Sequence, residues 1–126
     1  DALVESSRRA GLDVELRHEG AFEDVRPAVG TAAYRITQEA LTNVIRHAGV
    51  DRATVVLRRR DGGALELEIC DEGTGAPTGP ETGPVNGSGV GLVGIHERAE
   101  LSGGRSEVGP REGGGFRVYT TWADPA

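Results

Sequence analysis

Residues 34–48 read YRITQEALTNVIRHA, from Tyr34 to Ala48, and the architecture turns on this stretch. Ile36, Ala40, Leu41, Val44, Ile45 and Ala48 recur at the spacing of one helix face, so an amphipathic helix is expected from Thr31 to Ala48. Pro27 and Thr31 supply start signals and Gly49 a stop. Beside the apolar face, Arg35, Glu39, Asn43 and His47 stand four apart and form a second stripe. A solvated helix face explains that spacing equally well, except that Asn is a poor residue for a helix interior. A carboxylate, a carboxamide oxygen and cationic or imidazole groups in line could instead hold a hydrated cation and a polyphosphate.

The flanking segments read mostly as strands. Leu12, Val14 and Leu16 alternate with Asp13, Glu15 and Arg17, the pattern of a half-buried strand. Residues 52–60 and 64–71 form a hairpin around Asp61-Gly62-Gly63. Leu65, Leu67 and Ile69 occupy one face of its second strand, and Glu66, Glu68 and Cys70 the other. By parity Asp71 continues the apolar series, and a core-facing carboxylate needs a donor. An exocyclic amine of a base would serve, with Gly73 and Gly75 allowing close approach, although an ordinary Asp-Gly turn reads the same way.

Eight of the 20 glycines lie between Gly73 and Gly94, with Pro77, Pro80 and Pro84. Residues 73–89 are therefore expected to form a long loop. It leads into a helix over 91–102 with Leu92, Ile95 and Ala99 on one face and Gly103-Gly104 at its end. Gly87-Ser88-Gly89-Val90-Gly91-Leu92 before that helix suits an anion at the helix start, or a flexible linker. Segments 105–109 and 115–122 close the chain as a hairpin, with Phe116, Val118, Thr120 and Trp122 sharing a face.

Composition narrows the chemistry. The 126 residues suit one domain. All 14 basic residues are Arg, which excludes a lysine-based Walker A phosphate loop and a Schiff-base lysine. The net charge of −6 argues against nucleic-acid or membrane-surface binding. A single cysteine, Cys70, excludes an internal disulfide. No apolar run has the length of a membrane span and no signal-peptide core is present, so a cytoplasmic location is expected, with an inner-membrane anchor elsewhere in the parent protein left open. The absence of Met leads to the expectation of a piece cut from a longer protein.

Taken in order, these motifs carry a resemblance. Tyr34 to Ala48 resembles the N box of bacterial sensor histidine kinases, in the subgroup related to nitrate and nitrite sensors. Asp71-x-Gly73-x-Gly75 is similar to that family's first glycine box. Gly89-Val90-Gly91-Leu92-Val93-Gly94-Ile95, with His96-Glu97-Arg98-Ala99 through Gly103-Gly104, is similar to the second box and its helix. His96 departs from the usual Arg, and Phe116 replaces the small hydroxyl residue common after the late Gly-Gly.

The resemblance implies a Bergerat ATP-binding fold, an α+β two-layer sandwich with a mixed, mostly antiparallel sheet and helices on one face. It implies ATP and Mg²⁺ as ligands, with Asp71 on the adenine amino group and Asn43 on the metal. Arg46 and His47 would face the phosphates. Gly87, Gly89, Val90, Gly91 and Leu92 would line the lid hinge, and Thr120 would help hold a water beside the base. Glu39 and Asn43 are the catalytic candidates, although in kinases Glu39 need not act as a base. The implied activity is delivery of a γ-phosphoryl group to a histidine on a separate dimerisation domain, upstream of a response regulator. None of His18, His47 and His96 fits the acceptor, and the isolated domain would be a monomer. An anti-sigma-type serine kinase and a non-enzymatic, nucleotide-gated module are the alternatives.

Overall fold

A parallel pair at one side and antiparallel pairs elsewhere give the sheet its mixed character. The computed structural model describes residues 2–45, 52–71, 86–110 and 115–126, with the side chains of 2–4 and 86–93 outside the description. Among these residues the order is α1 (Ala2–Arg9), β1 (Asp13–Glu19), α2 (Pro27–Asn43), β2 (Arg52–Arg59), β3 (Leu65–Asp71), α3 (Asn86–Leu101), β4 (Arg105–Pro110) and β5 (Phe116–Trp122). The sheet order is β1-β2-β3-β5-β4. β1 and β2 pair in parallel across the α2 crossover, and the remaining neighbours pair antiparallel.

Side-chain alternation divides the sheet into a core face and an outer face. Val14, Ala53, Val55, Leu65, Leu67, Ile69, Val118 and Trp122 are buried on the core face, in one cluster with Val29, Ile36, Ala40 and Leu41 of α2 and Ile95 and Ala99 of α3. The expected layer of helices on one face is present. The outer face is polar. Arg58 bridges Glu19 at 3.0 Å and Glu66 at 3.1 Å, Arg60 also reaches Glu66 at 3.1 Å, and Arg117 pairs with Glu68.

Four local features are not those expected from the sequence. The helix α2 begins at Pro27 rather than Thr31, because Val29, Ala32 and Ala33 extend the buried stripe by more than a turn. Its regular part ends at Asn43, and Val44 and Ile45 continue it as a wider, π-type turn; residues 46–48 lie outside the described residues. The helix α3 begins at Asn86, so 86–89 are helical and not loop. Each glycine costs a helix about 1 kcal/mol, but burial of Ile95 and Ala99 against α2 supports the element from its middle. The fourth change is α1, which polar spacing concealed; Gly11, at φ +96°, closes it, with Gly11 N–H on Arg8 O and Leu12 N–H on Ser7 O.

The same cap ends α3, and there it explains why two glycines stand together. Gly103 takes φ +88°, donating to Glu100 O at 3.0 Å while Gly104 donates to Ala99 O at 2.7 Å. A Cβ on Gly104 would stand 2.7 Å from Trp122 Nε1. One glycine turns the chain; the other lets β5 approach.

Candidate functional site

The connectivity collects the chemically distinctive residues at one end of the sheet. After β1 the chain turns back through α2, whose 17 residues span roughly 26 Å. Asn43 is thereby carried to the end where β2 starts. The antiparallel register then sets Asp71, the last residue of β3, opposite Ala53 at the start of β2. β5 begins beside it at Phe116, and α3 starts after the segment that follows β3.

Asp71 is only 3% exposed and points to the core face, as strand parity predicts. Its Oδ1 accepts a hydrogen bond from the Phe116 backbone N–H at 3.2 Å. The backbone makes this contact, so replacing the family's small hydroxyl residue with Phe116 does not remove it. Two small residues adjoin Asp71. Ala53 is its register partner on β2, and a Cβ on Gly115 would stand 2.2 Å from Asp71 O and 3.1 Å from its Oδ1. Gly115 also holds φ +91°, which disfavours a side chain there. Neither Ala53 nor Gly115 stood out in the sequence, because cross-strand register alone brings them to Asp71.

On α2, Glu39 and Asn43 lie one turn apart on the predicted stripe, both half-buried, while Arg35 is exposed. Glu39 turns towards α3. Its Oε1 accepts a hydrogen bond from Arg98 Nη2 at 2.9 Å, with the two side chains 28% and 37% exposed. Gly94 makes the approach possible, since a Cβ there would lie 2.7 Å from Glu39 Oε2. In the sequence Arg98 stands out only through the motif His96-Glu97-Arg98-Ala99. Its position one helical turn after Gly94 was the available signal. His96 is exposed on α3, its Nδ1 in contact with Ser106 Oγ on β4.

Thr120 is not brought to Asp71. It pairs with Leu67, four residues before Asp71 along β3, or roughly 13 Å away at the usual strand rise. It is fully buried, and its Oγ1 has no partner among the described residues. Of the other sequence candidates, Arg46, His47, Gly73 and Gly75 lie outside the described residues. Gly87, Gly89, Val90, Gly91 and Leu92 fall within the first two turns of α3, described only as backbone. Among the described residues, no three His, Cys, Asp or Glu side chains form a group able to hold a metal. None of the described helices is long and apolar enough to cross a membrane.

Residues 28–125 match the family described as "Histidine kinase-, DNA gyrase B-, and HSP90-like ATPase". The chain is 38% identical over 113 residues to the sensor histidine kinase YxjM of Bacillus subtilis, covering 87% of this chain and 25% of that protein. It is also 38% identical over 80 residues to the oxygen sensor histidine kinase NreB of Staphylococcus carnosus, covering 64% of this chain and 22% of that protein. The chain thus spans about a quarter of these relatives' length. Its fold is similar to the ATP binding domain of PrrB from Mycobacterium tuberculosis, at TM-score 0.66 and 22% identity, over all of this chain and 91% of that one. A buried carboxylate at the end of a mixed sheet, a helix that carries Asn43 towards the same end and a family match over most of the sequence agree, and the chain belongs to the histidine kinase-, DNA gyrase B- and HSP90-like ATPase family.

Proposed function

We propose that the chain is the catalytic, ATP-binding domain of a two-component sensor histidine kinase and acts in the cytoplasm as one domain of a longer protein. The observation that carries this reading is the Asp71 carboxylate, buried at the sheet end and oriented by the Phe116 N–H. An ionised carboxylate accepts hydrogen bonds only, so it selects a donor such as the exocyclic amine of adenine. Ala53 and Gly115 beside it keep side-chain bulk away from a planar ring.

The phosphates would extend towards the end of α2. Asn43 offers a neutral oxygen on a half-buried side chain, which fits Mg²⁺, an ion that takes few protein ligands and keeps waters and phosphate oxygens. When bound, the ion would neutralise triphosphate charge that a chain of net charge −6 tolerates poorly. Arg46 and His47, which follow Asn43 in sequence, are proposed to face the phosphates. Gly73, Gly75 and the segment Gly87–Leu92 are proposed to frame the nucleotide through their backbone. In the transfer, an acceptor imidazole nitrogen bonds to the γ-phosphorus as the bond to the bridging oxygen breaks and ADP leaves. The domain's part is positioning and charge stabilisation.

Calorimetric titration of the Asp71→Asn variant tests the base contact. Asn would present donors as well as an acceptor, and ATP affinity is expected to fall by at least about tenfold; wild-type affinity would remove the adenine assignment. Radiolabelled ATP with an added helical domain bearing a histidine tests the transfer. Acid-labile label on that domain is expected, whereas label on serine would point to the anti-sigma-type alternative.

A further inference from the structure

The pairing of Glu39 with Arg98 has a consequence for the nucleotide site. Glu39 lies on α2 one turn before Asn43, and Arg98 lies on α3, whose first turns carry Gly87, Gly89 and Gly91. The contact therefore joins the two helices that bear the proposed phosphate-side residues. One hydrogen bond makes it, from Arg98 Nη2 to Glu39 Oε1. Glu39 Oε2 and Arg98 Nε are both buried and have no partner among the described residues. Arg98 thus supplies the one donor shown for this carboxylate among the described residues, and without it a charged group at the helix interface is left uncompensated. Gly94 is the second half of the arrangement. A Cβ at that position would push on Oε2 at 2.7 Å and on Oε1 at 3.1 Å, so any side chain there displaces the carboxylate or separates the helices.

We propose that Arg98 and Gly94 are positioning residues for the triphosphate end of the nucleotide site, acting through Glu39 on the setting of α2 and hence of Asn43. The inference rests on the proposed ATP reading of Asp71 and Asn43. It makes a directional claim. Disturbing the clamp weakens recognition of the phosphates and spares the base contact at Asp71, whose carboxylate the Phe116 N–H at the start of β5 orients.

The test is an NMR titration of the chain with Mg·ATP and, separately, with adenosine, for wild type, Arg98→Met, Arg98→Lys and Gly94→Ala. Arg98→Met is expected to weaken ATP about tenfold and adenosine less than about twofold, the loss expected for an unpaired charged group. Arg98→Lys keeps the charge and recovers part of the loss. Gly94→Ala changes no charge and is expected to show the same ATP-selective loss, which vanishes when Glu39→Ala is the background. Equal losses for ATP and adenosine, or no loss in either Arg98→Met or Gly94→Ala, overturn the proposal and leave the ATP reading standing. Failure of the wild type to bind ATP overturns both. Should Arg98→Met not fold, Gly94→Ala and Arg98→Lys decide the outcome.

Discussion

Asp71 shows how much one position depends on neighbours distant in sequence. Strand parity alone turned its carboxylate inward, and Gly115 and Phe116, more than forty residues later, lie against it. Gly115 is the most constrained of these, with φ +91° and no space for a Cβ against Asp71 O. Gly115→Ala is expected to lower stability by about 1–3 kcal/mol and to weaken ATP binding with it. Urea unfolding and calorimetry measure the two, and unchanged values in both would show that the segment before β5 accommodates a methyl group. Trp122 offers the apolar counterpart. It is fully buried, and its Nε1 donates to Ser102 Oγ at 2.8 Å, so both ring and polar tip are satisfied.

Among the elements, β3 carries two opposite chemistries on its two faces. The core face ends in Asp71, while the outer face presents Glu66 to Arg58 and Arg60. Burial alone would push the Glu66 carboxyl up, but the Tyr119 hydrogen bond and the two guanidinium groups outweigh it and hold the carboxyl below its ordinary range. A depressed carboxyl stabilises the fold above its unfolded-state pKa, and that contribution disappears as pH falls through the folded-state value. Stability should therefore decline as pH falls through and below the ordinary carboxylate range, and Glu66→Gln should flatten that decline. Thermal unfolding across this range tests it; an unaltered slope would assign the acid sensitivity to other groups. The same strand face gave Glu66, Glu68 and Cys70 their common side in the sequence reading, because period-2 alternation is local. The partners of the two glutamates were not legible, since Arg58 and Arg117 meet them only through the pairing of β3 with β2 and β5. The start of α3 escaped the sequence for another reason. Its glycines read as linker, while the contacts that hold the helix lie at Ile95 and Ala99.

At the scale of the whole molecule, the end remote from Asp71 is tied by Arg26. Its Nη1 donates to the backbone oxygens of Asp124 at 2.6 Å and Ala126 at 3.2 Å, and its Nη2 to Ser102 O at 3.0 Å. Its own N–H donates to Pro125 O at 2.8 Å. One side chain thus joins the start of α2, the end of α3 and the segment after β5. Arg26→Met is expected to cost about 1–3 kcal/mol while leaving ATP affinity unchanged, because no proposed ligand contact lies at that end. A fall in affinity comparable to that of Asp71→Asn would show that the two ends are coupled.

The sequence by itself determined the periodic features: the α2 stripe, the alternating strands, the inward Asp71 and the motif order that pointed to the ATPase family. Each is decided by residues within a few positions of one another. Only the tertiary structure decided that Gly115 and the Phe116 N–H meet Asp71, that Arg98 takes Glu39, and that Thr120 lies well down the sheet from the carboxylate. Those outcomes depend on register and helix packing, which sum many weak contacts across the chain and leave no local signature at the residues they bring together.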